Sequence, residues 1–239
     1  MQAVDLDALK RSGALWRGRR SVLMAGRVLG SGWAVLDEVL GGGWPRAALV
    51  EVLGDAHLGL SLLLPLLADL SLESRWLTWV APPYLPYAPA LAARGIRVER
   101  VLLVQQVSDE QALWAAEQVL KSGACSLLLA WPDRAGARGL DTARLRRLQL
   151  AAEQGDCTGV LFRPLRAVRQ GSTAALRLRV RPAPLGLEVE VLKRRGGWGG
   201  GTCIVPMHAG TRDEGRGARQ VPLPSVLVPG SSVLVPSRA

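Results

Sequence analysis

Gly54-Asp-Ala-His-Leu-Gly-Leu-Ser61 has the spacing of a phosphate-binding loop, G-x-x-x-x-G-K-[ST], with leucine in the lysine position. In such a loop the backbone amides cradle phosphates, the lysine reaches the β- and γ-phosphates, and the Ser/Thr holds Mg²⁺. Here Gly54, Gly59 and Ser61 are present, Leu60 removes the cation, and Asp55 adds a negative charge where phosphates would sit. Leu49–Leu53 ahead of the loop reads as a buried strand, and the apolar stretch after it as a helix reaching about Glu73.

Outward from this unit, apolar runs alternate with amphipathic ones. Strands are expected at Trp76–Ala81, Arg100–Gln105, Cys125–Trp131 and Thr158–Phe162, with helices at Tyr87–Arg94, Ser108–Ser122 and Asp141–Gln154. Ser108-Asp-Glu-Gln111 is a capping box, with Ala112, Ala115, Ala116 and Val119 as the inner stripe of its helix. Strands alternating with helices predict a mostly parallel sheet flanked by helices. Ala174–Arg181 and Gly186–Lys193 then alternate as antiparallel edge strands. Three regions are expected: an N-terminal helix and basic arm over 1–30, a core over 31–205, and a Pro/Gly/Ser-rich tail over 206–239 without a fixed fold. That tail carries Ser-Val-Leu-Val-Pro twice, at 225–229 and 232–236. In the arm, Leu6 and Leu9 share one side of a short helix suited to docking on a partner or on its own domain.

Composition bounds the chemistry. The 239 residues carry a net charge of +10, mostly arginine, which suits contact with nucleic acid or another polyanion and equally suits an arginine-rich proteome. Cys125, Cys157 and Cys203 form no C-x-x-C pair, and His57 and His208 are the only histidines, so neither a zinc site nor a disulfide framework is expected. No cofactor is expected either. The N-terminus lacks a signal-peptide pattern, and the longest apolar run, Leu58 to Leu67, is too short to span a bilayer. A reducing cytoplasm is the expected setting.

Gly30-Ser-Gly-Trp-Ala-Val-Leu-Asp37 and Gly41-Gly-Gly-Trp-Pro-Arg46, leading into the strand and loop, resemble the entry to a RecA-like P-loop NTPase core. Gly41-Gly-Gly-Trp-Pro, Trp79-Val-Ala-Pro-Pro-Tyr-Leu-Pro-Tyr87, Arg146-Arg-Leu-Gln-Leu150 and Leu192-Lys-Arg-Arg-Gly-Gly-Trp198 look like the ImuA family of damage-induced mutagenesis. The resemblance implies a degenerate nucleotide site. Leu60 stands for the Walker lysine, Pro83 lies at or near the place of the catalytic glutamate, Trp131 takes that of the Walker B aspartate, and Pro164 lies near the γ-phosphate sensor. With all four replaced, phosphoryl transfer loses its electrostatic support, and a pseudo-ATPase is expected.

The resemblance also implies partners: an ImuB-type inactive Y-family polymerase, an error-prone C-family polymerase alpha subunit, RecA, and DNA. The expected role is a non-catalytic accessory factor in translesion synthesis and the SOS response, cytoplasmic and nucleoid-associated. RecA's DNA-binding loops would correspond to stretches carrying Arg134 and Arg138, and Arg163, Arg166 and Arg169, which also read as solvated surface. Lys193, Arg194, Arg195 and Trp198 would form an interface edge. Two alternatives stay open: a cell-division inhibitor like SulA, which would target the tubulin-like division protein without DNA, and a DNA-dependent ATPase with relocated catalytic residues.

Overall fold

A computed structural model describes residues 28–55, 58–105, 107–132, 140–197 and 199–207. Leu6, Leu9, His57, Arg134, Arg138, Trp198 and the repeated tail pentapeptide lie outside them.

The alternation seen in the sequence becomes three layers. The elements are β1 (Val28–Leu29), α1 (Ala34–Leu40), β2 (Trp44–Pro45), β3 (Leu49–Leu53), α2 (Leu60–Leu70), β4 (Trp76–Val80), α3 (Ala88–Ala93), β5 (Val101–Val104) and α4 (Asp109–Lys121). They continue with β6 (Cys125–Ala130), α5 (Thr142–Gln154), β7 (Thr158–Arg163), a 3₁₀ turn (Leu165–Arg169), β8 (Leu176–Ala183), β9 (Gly186–Arg194) and β10 (Thr202–Pro206). The large sheet has eight strands in the order β10-β9-β8-β3-β7-β6-β4-β5. From β8 to β5 every pairing is parallel, and β9 and β10 add antiparallel neighbours. Strand β10 lies at the end of the expected core, where the local pattern gives no strand. Its apolar partners come from β9, which no local pattern could show.

A sheet buried on both faces needs apolar runs rather than alternation, and β3, β6 and β7 are buried along their whole length. One face packs Leu36, Leu63, Leu67, Leu91 and Trp44 over Val52, Leu127 and Val160. The other packs Ala112, Ala116 and Leu120 of α4 with Leu145, Leu148 and Ala152 of α5 over Leu128 and Leu161. Helix α4 starts with the expected reciprocal cap: Ser108 Oγ accepts from the Gln111 amide, and Gln111 Oε1 accepts from the Ser108 amide. Asp141 caps α5 by accepting from the Arg144 amide at 2.7 Å. Such caps are worth about 1 kcal/mol each.

The glycine triplet before β3 is a packing requirement. Gly41, Gly42 and Gly43 all have positive φ, and a Cβ on Gly43 would fall 2.2 Å from the Leu29 carbonyl oxygen. Among the described residues no helix is long and apolar enough to cross a membrane.

Candidate functional site

Parallel strands send their carboxyl ends to one edge of the sheet, where functional loops usually collect. At this edge, between β3 and α2, sits the loop whose spacing imitates a phosphate cradle. Its glycines have other reasons to be there. A Cβ on Gly54 would lie 2.7 Å from the Val180 carbonyl oxygen, and one on Gly59 would lie 2.7 Å from Val52 Cγ1. Gly59 also has φ of 89°, a conformation other residues adopt at a cost. Leu58 and Leu60 pack against the apolar core. The loop is drawn down onto the sheet by side-chain contacts.

The neighbouring strand ends close the space further. Trp131, just past β6, is 3 % exposed and lies parallel to the Phe162 ring of β7, with centroids 4.6 Å apart. Trp79 of β4 meets Trp131 at a tilt, with ring centroids 6.1 Å apart. Stacked aromatic pairs add about 1 kcal/mol beyond their burial. Pro83 and Pro164 sit in turns after β4 and β7, half-buried. Among the described residues, no His/Cys/Asp/Glu group could hold a metal ion.

Behind this layer, on the α4–α5 face, lies a buried charge cluster. Glu51 of β3 stands opposite Arg177 on one side and opposite Leu161, two residues before Arg163, on the other. Its carboxylate pairs with Arg163 at 2.5 Å and Arg177 at 2.6 Å, and the Glu51 and Arg163 side chains are fully buried. Arg163 also donates to Gln170 Oε1 at 2.7 Å, and Arg177 to the Ala167 carbonyl at 2.8 Å, so the cluster ties the 3₁₀ turn to the sheet.

This settles where the singled-out cations lie. Arg163 is turned inward and cannot meet a phosphate, a correction to its reading as a DNA contact. Arg166 and Arg169 are exposed on the turn above it. Lys193 Nζ donates to the Ser172 carbonyl, and burial, with Arg177 and Arg195 nearby, lowers its pKa. Arg194 reaches the Val39 carbonyl and fills the space over Gly41 and Gly197, and Arg195 pairs with Glu153 at 2.9 Å. Each basic residue of that edge is engaged within its own chain.

What the sequence missed is the loop between β4 and α3. Ala81 carries φ of 52°, a strained value for a residue with a Cβ, and turns the chain abruptly out of β4. The loop Pro82-Pro-Tyr-Leu-Pro-Tyr87 follows, with Tyr84, Leu85 and Tyr87 exposed to 72, 71 and 71 %. Prolines fix φ and hold these side chains outward, which lowers the entropic cost of binding. Leu165, 48 % exposed, opens on the same edge past β7. The available signal was two tyrosines and a leucine set among prolines directly after a buried strand.

A carboxyl edge filled by tryptophan and phenylalanine thus lies beside an exposed aromatic loop on a mixed α/β sheet. A protein-family profile described as "Cell division inhibitor SulA" matches residues 50–159, from β3 to the start of β7. The cell division inhibitor SulA of Edwardsiella piscicida is 36 % identical over 117 residues, which is 48 % of this chain and 64 % of that protein. SulA of Yersinia pestis (strain Pestoides F) is 33 % identical over 119 residues, covering 50 % of this chain and 68 % of that one. The crystal structure of SulA from Pseudomonas aeruginosa aligns at 31 % identity over 49 % of this chain and 98 % of that one, with a TM-score of 0.41. The chain belongs to the SulA family.

Membership corrects the sequence reading. The mostly parallel sheet with antiparallel edge strands is there, but its assignment to a RecA-like P-loop NTPase core gives way to SulA. The ImuA assignment falls with it. So do the translesion role, the ImuB-type and C-family polymerase partners, and the links to RecA and DNA. The SulA relatives are named as inhibitors of cell division.

Proposed function

We propose that this chain arrests cell division, as its relatives' name states, by binding the tubulin-like division protein without catalysis. The match over residues 50–159 carries this reading, because that segment contains the exposed Tyr84–Tyr87 loop. The loop supplies what interface hot spots use: rigid aromatic side chains at low entropic cost. Arg166 and Arg169 on the same sheet edge would meet acidic groups of the partner and speed the encounter. This binding core works in the cytoplasm during the SOS response. Nucleoid association has no support once DNA is removed from the partners.

Leu60 against the core and the buried Trp131–Phe162 stack also support a finer proposal, that the chain is a pseudo-ATPase with side chains where a nucleotide would need room. Titration of stripped protein with labelled ATP, expected to give no saturable binding, tests it.

The main proposal is tested by expressing the full chain in growing bacteria and by adding purified protein to the polymerising division protein. Filamentous cells and reduced polymer are expected. The double variant Tyr84→Ala/Leu85→Ala should lose both effects while keeping the parent's circular dichroism. Normal division with the parent chain at high expression would overturn the function. Full inhibition by the double variant would overturn the surface.

A further inference from the structure

The large sheet has two edges, β10 and β5, and they are finished differently. Strand β10 pairs with β9 and ends on Pro206, which has no N–H to offer a further strand. Proline at an edge is a common guard against unwanted pairing. Strand β5 reads Val101-Leu-Leu-Val104 and runs in unbroken parallel register with β4. It contains no proline, charge or bulge. This edge is unguarded.

Register decides which backbone groups are left over. In a parallel pair, alternate residues of a strand turn both N–H and C=O toward the neighbour. The Ala81 amide donates to the Val104 carbonyl at 2.8 Å, so Val104 and, two residues earlier, Leu102 face β4. Leu103 between them turns its N–H and C=O outward. Val101 turns its C=O the same way, while its N–H donates to the Val98 carbonyl. Among the described residues nothing bonds the Leu103 amide or carbonyl. The surroundings are apolar. Leu102 is 46 % exposed, and Val101 and Leu103 are half-buried against the core that includes Leu91 of α3. Val104 packs with Ala112 and Ala116 of α4, the helix that carries Trp114 outward at 65 % exposure.

We propose that β5 is where the partner adds a strand: an extended, mostly apolar segment of the division protein hydrogen-bonds to Leu103 and lays alternate side chains beside Leu102. The inference rests on the reading of this chain as a binder of that protein. An outward amide and carbonyl on one residue match extended backbone, and main-chain bonds of this kind supply affinity without regard to sequence. Selection then falls to side chains nearby. Ala81, whose amide fixes the register, leads directly into the Pro82–Tyr87 loop, so the edge and the exposed Tyr84, Leu85 and Tyr87 form one continuous surface.

The test is amide hydrogen exchange of the full chain, read residue by residue with and without the purified division protein. In the free chain Leu103 should exchange about tenfold faster than Leu102 and Val104, whose amides are bonded to β4. Saturating division protein should slow Leu103 by about tenfold or more. Gln105→Pro removes the next outward N–H, and Leu102→Lys puts a charge on the edge. Each should raise the Kd by about tenfold and keep the parent's urea midpoint. Protection confined to Tyr84, Leu85 and Tyr87, with Leu103 unchanged and both variants binding fully, would overturn strand addition and leave the division reading standing. No binding by the parent chain would overturn both. Leu103 protection in the free chain that grows with its concentration would give the edge to a second copy, and that too would overturn the proposal.

Discussion

The two halves of the carboxyl edge are built from similar residues and used in opposite ways. Past β6 and β7, Trp131 and Phe162 stack face to face and are buried, sealing the space over the glycine loop. Past β4, Tyr84, Leu85 and Tyr87 stand in solvent on a proline-braced loop. The same contrast recurs in the arginines: Arg163 is buried on Glu51, and Arg166, three positions on, is exposed. Aromatic or basic character alone therefore says little about binding at this edge. What separates the two uses is whether a strand neighbour supplies a matching surface.

The largest effect should come from breaking the buried cluster. Glu51→Gln leaves two arginines facing each other in the core and should cost about 3–5 kcal/mol of stability, measured by urea unfolding. Trp131→Ala should cost about 3–5 kcal/mol through the cavity it leaves under Phe162. Trp131→Asp, which places a carboxylate at this strand end, should confer no ATP binding by calorimetry, since Leu58 and Leu60 still pack against the core. If it does bind ATP, the sealed half is a live nucleotide site and the contrast fails.

On the open half the signs reverse. Tyr84→Ala/Leu85→Ala should change stability by less than about 0.5 kcal/mol, while weakening partner binding by about 2 kcal/mol or more. Arg166→Ala/Arg169→Ala should leave stability within about 0.5 kcal/mol and make association slower and less salt-dependent in stopped-flow mixing. The smallest effect is at Asp156. The hydrogen bond from Arg46, and then the charges of Arg46 and Arg75, hold its carboxyl below its ordinary pKa. A lowered carboxyl pKa stabilises the fold above its ordinary value, and that contribution is lost as pH falls through the lowered one. Asp156→Asn should therefore flatten the acid limb of the stability profile below about pH 4 and leave neutral pH nearly unchanged.

How far the sequence could be read followed what each motif does physically. Gly41-Gly-Gly-Trp-Pro, Arg146-Arg-Leu-Gln-Leu150 and Leu192-Lys-Arg-Arg-Gly-Gly-Trp198 looked like signatures of one family's function, yet each answers a packing demand. The glycines allow positive φ, Gln149 accepts the Leu49 amide at 3.0 Å in the core, and Gly197 makes room for Arg194. Such motifs report on a fold and on nothing a partner would see. The Tyr84–Tyr87 loop lies in a further stretch of this kind, Trp79–Tyr87, and does not stand out as a site, because exposure has no local sequence period in a turn. Strand β10 escaped notice for a related reason: its stability comes from pairing with β9 rather than from its own five residues.

The alternation of strands and helices from β3 to β9 and the cap of α4 follow from the sequence, since periodicity and side-chain type act over one or two turns of chain. Only the tertiary structure decided which arginines face inward, that the glycine loop lies against Val52 and Val180, and that Cys125 turns to the α4–α5 face. Those outcomes depend on strand register, and register is fixed by residues far apart in the chain that meet only when the sheet has formed.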